Sequence, residues 1–235
     1  MTERGRSAVA RSADTLAVGP SAMRWTGDSL IIDIEERGAV LPLPVRGRVR
    51  VIPEMLNPVG FALDPAGHHH WRSIAPRARV EVEMEKPGLS WKGSAYWDSN
   101  HGSESLETGF RDWQWSRAHL GREVAVLYEG VRRDRSRFAA ALRFDRTGRP
   151  VEEELPRAAS LLPTKWLMPR RTRADDGQAR VTKSWEDAPF YSRSTLATTL
   201  FGERVAAVHE SLSLDRFASP IVQWMLPYRM PRKPG

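Results

Sequence analysis

Tyr96 and Asp98 stand two residues apart in a stretch that starts at Trp91 and runs through Trp97, Asn100 and Gly102 to Trp113, Trp115 and Arg117. Side chains in a strand alternate between its two faces. Tyr96 and Asp98 therefore leave one side, with Lys92 and Ser94, and Trp91, Gly93, Ala95 and Trp97 leave the other. Four of the nine tryptophans lie between Trp91 and Trp115, so a carboxyl group is placed within reach of several π faces. That combination suits an apolar, electron-rich substrate that must be protonated. It equally suits an aromatic core, with Asp98 as a turn cap ahead of Ser99-Asn100 and Tyr96 as a half-buried strand residue.

Positioning these residues requires strands. The alternation of Trp91–Trp97, turn residues at Asp98–Gly102, and a second alternating run with Trp113, Trp115, Arg117 and His119 on one face predict a hairpin-like pair. Ala78–Glu85 alternates apolar and charged residues, and Pro87-Gly88 turns it into the Trp91 strand. Further strands are predicted at Ser29–Ile34, Arg46–Ile52, Glu123–Val131 and Arg137–Asp145, and within 196–214, most clearly at Val205–Leu212. The segment up to Ala22 reads as polar and weakly structured. Pro53–Gly67 reads as a linker or rim loop, and Glu152–Pro163 as a loop. Short turns between regularly spaced strands predict an antiparallel meander closing into a barrel or sandwich.

The chain has 235 residues, no cysteine, and 36 Lys+Arg against 29 Asp+Glu, a net charge of +7. Thiol catalysis and a disulfide framework are excluded. The positive balance favours anionic surfaces, and no run approaches the ~20 apolar residues of a membrane span. His68-His69-His70 does not make a metal site, because three consecutive residues cannot converge on one ion and no spaced ligand set completes it. The basic clusters at Arg132–Arg137, Arg170–Arg173 and Arg229–Lys233 lie apart and frame no nucleic-acid-binding module. His209-Glu210 reads as a buried contact or a solvated ion pair.

Several separated motifs, in order, resemble one family. They are His69-x-Trp71, Ile74-Ala75-Pro76-Arg77-Ala78-Arg79-Val80, Gly93-x-x-Tyr96-x-Asp98-Ser99-Asn100, Phe110 with Trp113-x-Trp115-Ser116-Arg117, Val208–Phe217 and Met225–Pro231. The sequence is similar to carotenoid 1,2-hydratases, also called hydroxyneurosporene synthases, through nearly its whole length. The resemblance implies an all-β protein of two lipocalin-like antiparallel β-barrel units. Family members carry a Met-Thr-Glu-Arg-Gly-like stretch inside the chain, after an aromatic and apolar segment. The resemblance thus implies that the first unit is incomplete here, with a remnant and linker at 1–66 and the second barrel, carrying the site, at 67–235.

It also implies a cofactor-independent hydro-lyase that adds water to the C1–C2 double bond of acyclic carotenoids. Such a reaction needs an acid to protonate C2, leaving a tertiary cation at C1 for water to capture. Asp98 is the expected acid, kept protonated by a dry surround. His69, Trp71 and Tyr96 complete the expected catalytic set, His69 orienting the acid or taking the proton of the incoming water. Trp97, Trp113 and Trp115 are expected to line the substrate, their ring faces stabilising the cation. A lipocalin-like isomerase or pericyclase and a non-catalytic carrier of a lipophilic polyene are the alternatives, and a carrier needs no acid. The partners implied are an acyclic carotenoid and, through the basic clusters and the tail, the cytoplasmic surface of an inner or intracytoplasmic membrane, held peripherally. No metal, cofactor or nucleic acid is expected.

Overall fold

The computed structural model describes residues 3–38, 41–229 and 232–233. The first stretch holds β1 (Glu3–Arg4), β2 (Val9–Arg11), β3 (Thr15–Val18), β4 (Ser21–Trp25), β5 (Leu30–Arg37), β6 (Pro44–Pro53) and β7 (Phe61–Ala62). Two long strands follow, β8 (His69–Lys86) and β9 (Leu89–Gly102), then the short helix α1 (Leu106–Gly109). Next come β10 (Phe110–Leu120), β11 (Glu123–Arg132), β12 (Arg137–Phe144), β13 (Pro150–Glu152), β14 (Arg157–Leu161) and β15 (Arg170–Ala174). The chain ends through β16 (Ala179–Asp187), β17 (Tyr191–Leu200), β18 (Glu203–Ser213), α2 (Leu214–Phe217), α3 (Pro220–Arg229) and β19 (Arg232–Lys233). The protein is all-β, and apart from the parallel β1–β19 pair its strands are joined antiparallel. Among the described residues no helix is long and apolar enough to cross a membrane.

Two compact units emerge, each discontinuous in sequence. Unit 1 gathers Met1–Leu56, Arg77–Trp97 and Gln223–Gly235, and unit 2 gathers Asn57–Pro76 and Asp98–Val222. The strands of unit 1 run in the order β2-β3-β4-β5-β6-β8, with β9 also on β8. Val80 and Val82 are buried while Glu81 and Glu83 alternate outward, as the sequence pattern predicts. The N-terminal segment departs from expectation, because residues up to Ala22 supply β2, β3 and part of β4. Side-chain turn chemistry makes these strands: Ser12 Oγ donates to Asp14 Oδ1 at 2.7 Å, and Gly19 takes φ of 60° between β3 and β4. Their polar composition reflects exposure rather than irregularity.

Unit 2 is built on a seven-stranded sheet in the order β13-β12-β11-β10-β18-β17-β16, an open path among the described pairings. β10 lies near its centre and is buried on both faces. Ala118 and Leu120 join Ala125, Leu127, Ala141, Leu161, Leu196, Leu200 and Ala207 in one apolar core. Each such leucine contributes about 1.5–3 kcal/mol by leaving water. The opposite face of β10 carries Trp113, Trp115 and Arg117, as the period-two reading requires.

Three other expectations are corrected here. β9 and β10 do not form a hairpin: β9 pairs with β8, while β10 pairs with β11 and β18. Asp98–Gly102, expected as a turn, continues β9, and the chain reverses instead through Ser103–Gly109. The expected loop Glu152–Pro163 contains β14, whose partner β15 holds the basic run Arg170–Arg173. Acid groups on the neighbouring sheet draw the arginines in. Arg171 meets Asp112 at 2.6 Å and Glu129 at 2.7 Å, and Arg173 meets Glu129 at 2.6 Å.

Candidate active site

Asp64 sets the start of β8. Its two carboxylate oxygens accept from the backbone N–H groups of His68 (3.1 Å) and His69 (2.7 Å). Strand alternation then puts His69 and Trp71 on the buried face of β8, only 3% and 1% exposed. Trp71 Nε1–H donates to Asp98 Oδ2 at 2.9 Å, across 27 residues of sequence. Its ring lies edge-on to Tyr128 at 5.5 Å and tilted against Phe61 at 5.7 Å. Tyr128 in turn meets Trp113 at 5.8 Å and Phe138 at 5.4 Å, both edge-on. The carboxyl group is thus held by an indole N–H inside a continuous chain of aromatic contacts.

His69 faces Glu104. Its Nε2 lies 3.0 Å from Glu104 Oε1, and its ring meets Phe110 edge-on at 4.8 Å. The neighbouring histidines go elsewhere. His68 Nδ1 pairs with Ser103 Oγ at 2.8 Å, while His70 Nε2 donates to Gly67 O at 2.9 Å and the His70 ring stacks on His101. Two glycines make room for these rings. A Cβ on Gly109 would sit 2.4 Å from His69 Nε2, and one on Gly130 would sit 2.5 Å from Phe138 Cε1. Gly109→Ala is therefore expected to displace the His69 ring and destabilise the protein by about 1–3 kcal/mol. Chemical denaturation checks this, and an unchanged midpoint would show that the ring yields freely.

Register extends the wall. Tyr128, Trp115, Glu210 and Arg193 are successive cross-strand neighbours on β11, β10, β18 and β17. Glu210 is tied to Arg193 at 2.6 Å. Burial raises the Tyr128 hydroxyl above the ordinary phenol range, and the charges of Asp98 and Glu210 add to this, so Tyr128 stays a neutral phenol. His209 and Glu210, read as a pair from sequence, point to opposite faces of β18, as consecutive strand residues must. His209 Nε2–H donates to Arg171 O at 2.9 Å on the other side.

The structure therefore groups His69, Trp71, Asp98, Trp113 and Trp115 in unit 2. Half-buried Tyr96 precedes Asp98 by two residues on β9, and its side chain leaves that strand on the same side. Tyr96 and Trp97 fall in unit 1, where the Trp97 ring meets Trp25 at 5.9 Å. Sequence reasoning did not select Glu104, Tyr128 or Phe138. Each acts through a partner distant in sequence, and no local spacing marks it. A concavity of about 830 Å³ in unit 1 is lined by Ile34, Met84 and Leu89 together with the charged Asp33, Glu35, Arg46, Arg48, Glu83 and Glu85. Its six ionised side chains suit an apolar substrate less well than rings do, and no aromatic residue lines it, so the aromatic cluster around Asp98 is the better site.

The sequence model of the family described as carotenoid hydratase CrtC matches residues 1–235. The chain belongs to this family. It is 50% identical over 238 residues to an acyclic carotenoid 1,2-hydratase of Thiocapsa roseopersicina, a match covering 100% of this chain and 58% of that relative. An acyclic carotenoid 1,2-hydratase of Cereibacter sphaeroides is 43% identical over 237 residues, covering 100% of this chain and 85% of its own length. The chain thus spans well under two thirds of the first of these carotenoid hydratases. Among solved structures, an AttH protein of Nitrosomonas europaea superposes with a TM-score of 0.56 at 11% identity, over 89% of this chain and 72% of that one. That likeness is one of fold alone.

Proposed function

We propose that the chain hydrates the C1–C2 double bond of acyclic carotenoids of the neurosporene and lycopene type, without a cofactor. The observation that carries this reading is the Trp71 N–H bond to Asp98 within the aromatic chain, because a carrier of polyenes has no use for a positioned carboxyl group. The description shared by its relatives, acyclic carotenoid 1,2-hydratase, supplies the reaction.

The indole N–H can only donate, so it holds Asp98 Oδ2 as an acceptor and the acidic proton belongs on Oδ1. Transfer of that proton to C2 uses the π electrons of the double bond and leaves a tertiary cation at C1. The ring faces of Trp71 and Tyr128 and the adjoining wall of Trp113 and Trp115 stabilise this charge, each by about 1–2 kcal/mol when water is excluded. Water then adds at C1. His69 takes the proton released by the resulting oxonium, with Glu104 orienting the imidazole and balancing its charge. Proton return to Asp98 through solvent closes the cycle, and one water has been added.

A substrate that dissolves in lipid implies peripheral attachment to the cytoplasmic face of an inner or intracytoplasmic membrane, aided by the net charge of +7. The test supplies lycopene or neurosporene in vesicles and analyses the product by mass. The expected product is a tertiary alcohol heavier by one water. An isomer of unchanged mass would replace this reading with that of a polyene isomerase, and unreacted carotenoid with that of a carrier.

A further inference from the structure

The loop joining β14 to β15 turns its large apolar side chains outward. Leu162 is 82% exposed, Leu167 76% and Trp166 49%, whereas Thr164 between them and Met168 after them are buried. Its backbone is framed by hydrogen bonds. Thr164 N–H donates to Met168 O at 3.0 Å and Leu167 N–H to Thr164 O at 2.9 Å. Thr164 Oγ1 accepts from the N–H groups of Trp166 and Met168, both at 3.2 Å. Buried Arg170 donates to Leu162 O at 2.9 and 2.7 Å. Arg216 of α2 donates to Trp166 O at 2.7 Å and to Leu167 O at 3.0 Å. Leu167 itself has φ of 56°, in the left-handed region that bulky side chains avoid. A slack loop would fold three such side chains inward. Two arginines and one strained residue hold these out, and an exposed apolar tip held rigidly marks an interaction surface.

We infer that Leu162, Trp166 and Leu167 form a preformed wedge that docks into the interfacial layer of a lipid bilayer. Two leucines beside an amphipathic indole match the boundary between acyl chains and headgroups. Exposed cations accompany the tip. Lys165 is exposed within the loop, and Lys183 Nζ lies 3.4 Å over the ring of Trp185, itself 59% exposed on β16. Two carboxylates border the loop, Asp187, which accepts the Lys165 backbone N–H at 2.9 Å, and exposed Glu186, so the apolar side chains rather than local charge carry the docking. Arg216 also donates to Pro189 O at 3.3 Å, and Ser213 N–H to Phe190 O at 2.8 Å, so the loop sits where β18 ends and β17 begins. Trp113 is level with Leu212 and Tyr191 at that same end of the sheet. That the wedge brings a lipid-dissolved polyene to the Trp113 edge rests on the hydration reading; the docking itself does not.

The chain has no cysteine, so Leu162→Cys and Leu167→Cys can each carry a polarity-sensitive thiol dye, with Leu89→Cys, an exposed strand position, as control. On vesicles of mixed phosphatidylcholine and phosphatidylglycerol the two loop dyes are expected to shift to the blue and the control to stay unchanged. Leu162→Ser with Leu167→Ser is expected to weaken vesicle partition roughly a hundredfold, leaving only salt-sensitive binding, with an unchanged thermal transition. Turnover of detergent-dispersed lycopene by this double variant is expected to stay at the wild-type level, which separates lost docking from a damaged site. The inference is overturned by loop dyes that ignore vesicles, by a blue shift that follows protein concentration without lipid and so marks a contact between copies, by unchanged partition of the double variant, or by an equal loss of turnover in detergent. A wild-type chain that docks but does not hydrate would remove the hydration reading and leave the wedge standing.

Discussion

Asp98→Asn is expected to abolish hydration, lowering kcat by at least roughly a thousandfold, while fold and carotenoid binding persist. Proton transfer by a positioned acid contributes ~10²–10⁴ in rate, and an alkene cannot be hydrated along this route until C2 is protonated. The substitution removes the acid with little disturbance of shape. The asparagine carbonyl still accepts the Trp71 N–H now bound at 2.9 Å, so the strand and the indole have no reason to move. The measurement is turnover of lycopene in vesicles by purified protein, beside a thermal transition that confirms the fold. Turnover within about tenfold of wild type would take the acid role away from Asp98. Trp71→Phe separates positioning from packing, since it keeps an aromatic ring and deletes the donor. Its expected signature is a lower kcat with an altered pH profile, the pH change marking the lost hold on the carboxyl group, which a smaller ring by itself would not produce.

Acid is expected to destabilise unit 2 through His209. This residue is fully buried, its Nε2–H donates to Arg171 O at 2.9 Å, and its Nδ1 has no hydrogen-bond partner. Its cross-strand neighbours are Ser116 and Ser194, which bring no charge to offset a protonated ring. Burial therefore lowers its pKa to about 4, and nearby Arg170 acts in the same direction against the bond to Arg171 O. In the unfolded chain the ring titrates near ~6.5. Between these values the unfolded state binds the extra proton, so stability rises with pH across that window. The contribution is fully present above about pH 6.5 and is lost as pH falls towards about 4, roughly 3 kcal/mol in all. Urea midpoints of wild type and His209→Gln at neutral pH and near the lower limit measure it. Glutamine keeps a donor for Arg171 O but takes up no proton, so its loss of stability in acid should be markedly smaller. Equal losses in the two proteins would place the acid sensitivity elsewhere.

What could be read directly was local and periodic. The alternation of Ala78–Glu85 gave a strand with Val80 and Val82 inward, and the run from Trp113 to His119 gave one face carrying Trp113, Trp115 and Arg117. Tyr96 and Asp98 were placed on one side of their strand by the same rule. These readings needed only the two-residue repeat of an extended chain, which each segment carries within itself. His69 and Trp71 entered the expected site by resemblance alone, since nothing within either strand reports the approach of the other.

Pairing was decided by tertiary structure, because strand partners are chosen by contacts between segments far apart in sequence. The turn residues Asp98–Gly102 gave way to continued pairing of β9 with β8. Strands β9 and β10, adjacent in the chain and alike in aromatic content, took different neighbours. His209 and Glu210, adjacent by number, ended on opposite faces with Arg171 O and Arg193 as partners. The Trp71–Asp98 bond spans 27 residues and the His69–Glu104 contact 35. Both form only once β8, β9 and the Ser103–Gly109 reversal are in place. The chemical types at the site were therefore written locally. The burial, the donor on the carboxyl group and the partner of the imidazole come from long-range packing, which a period of two does not encode.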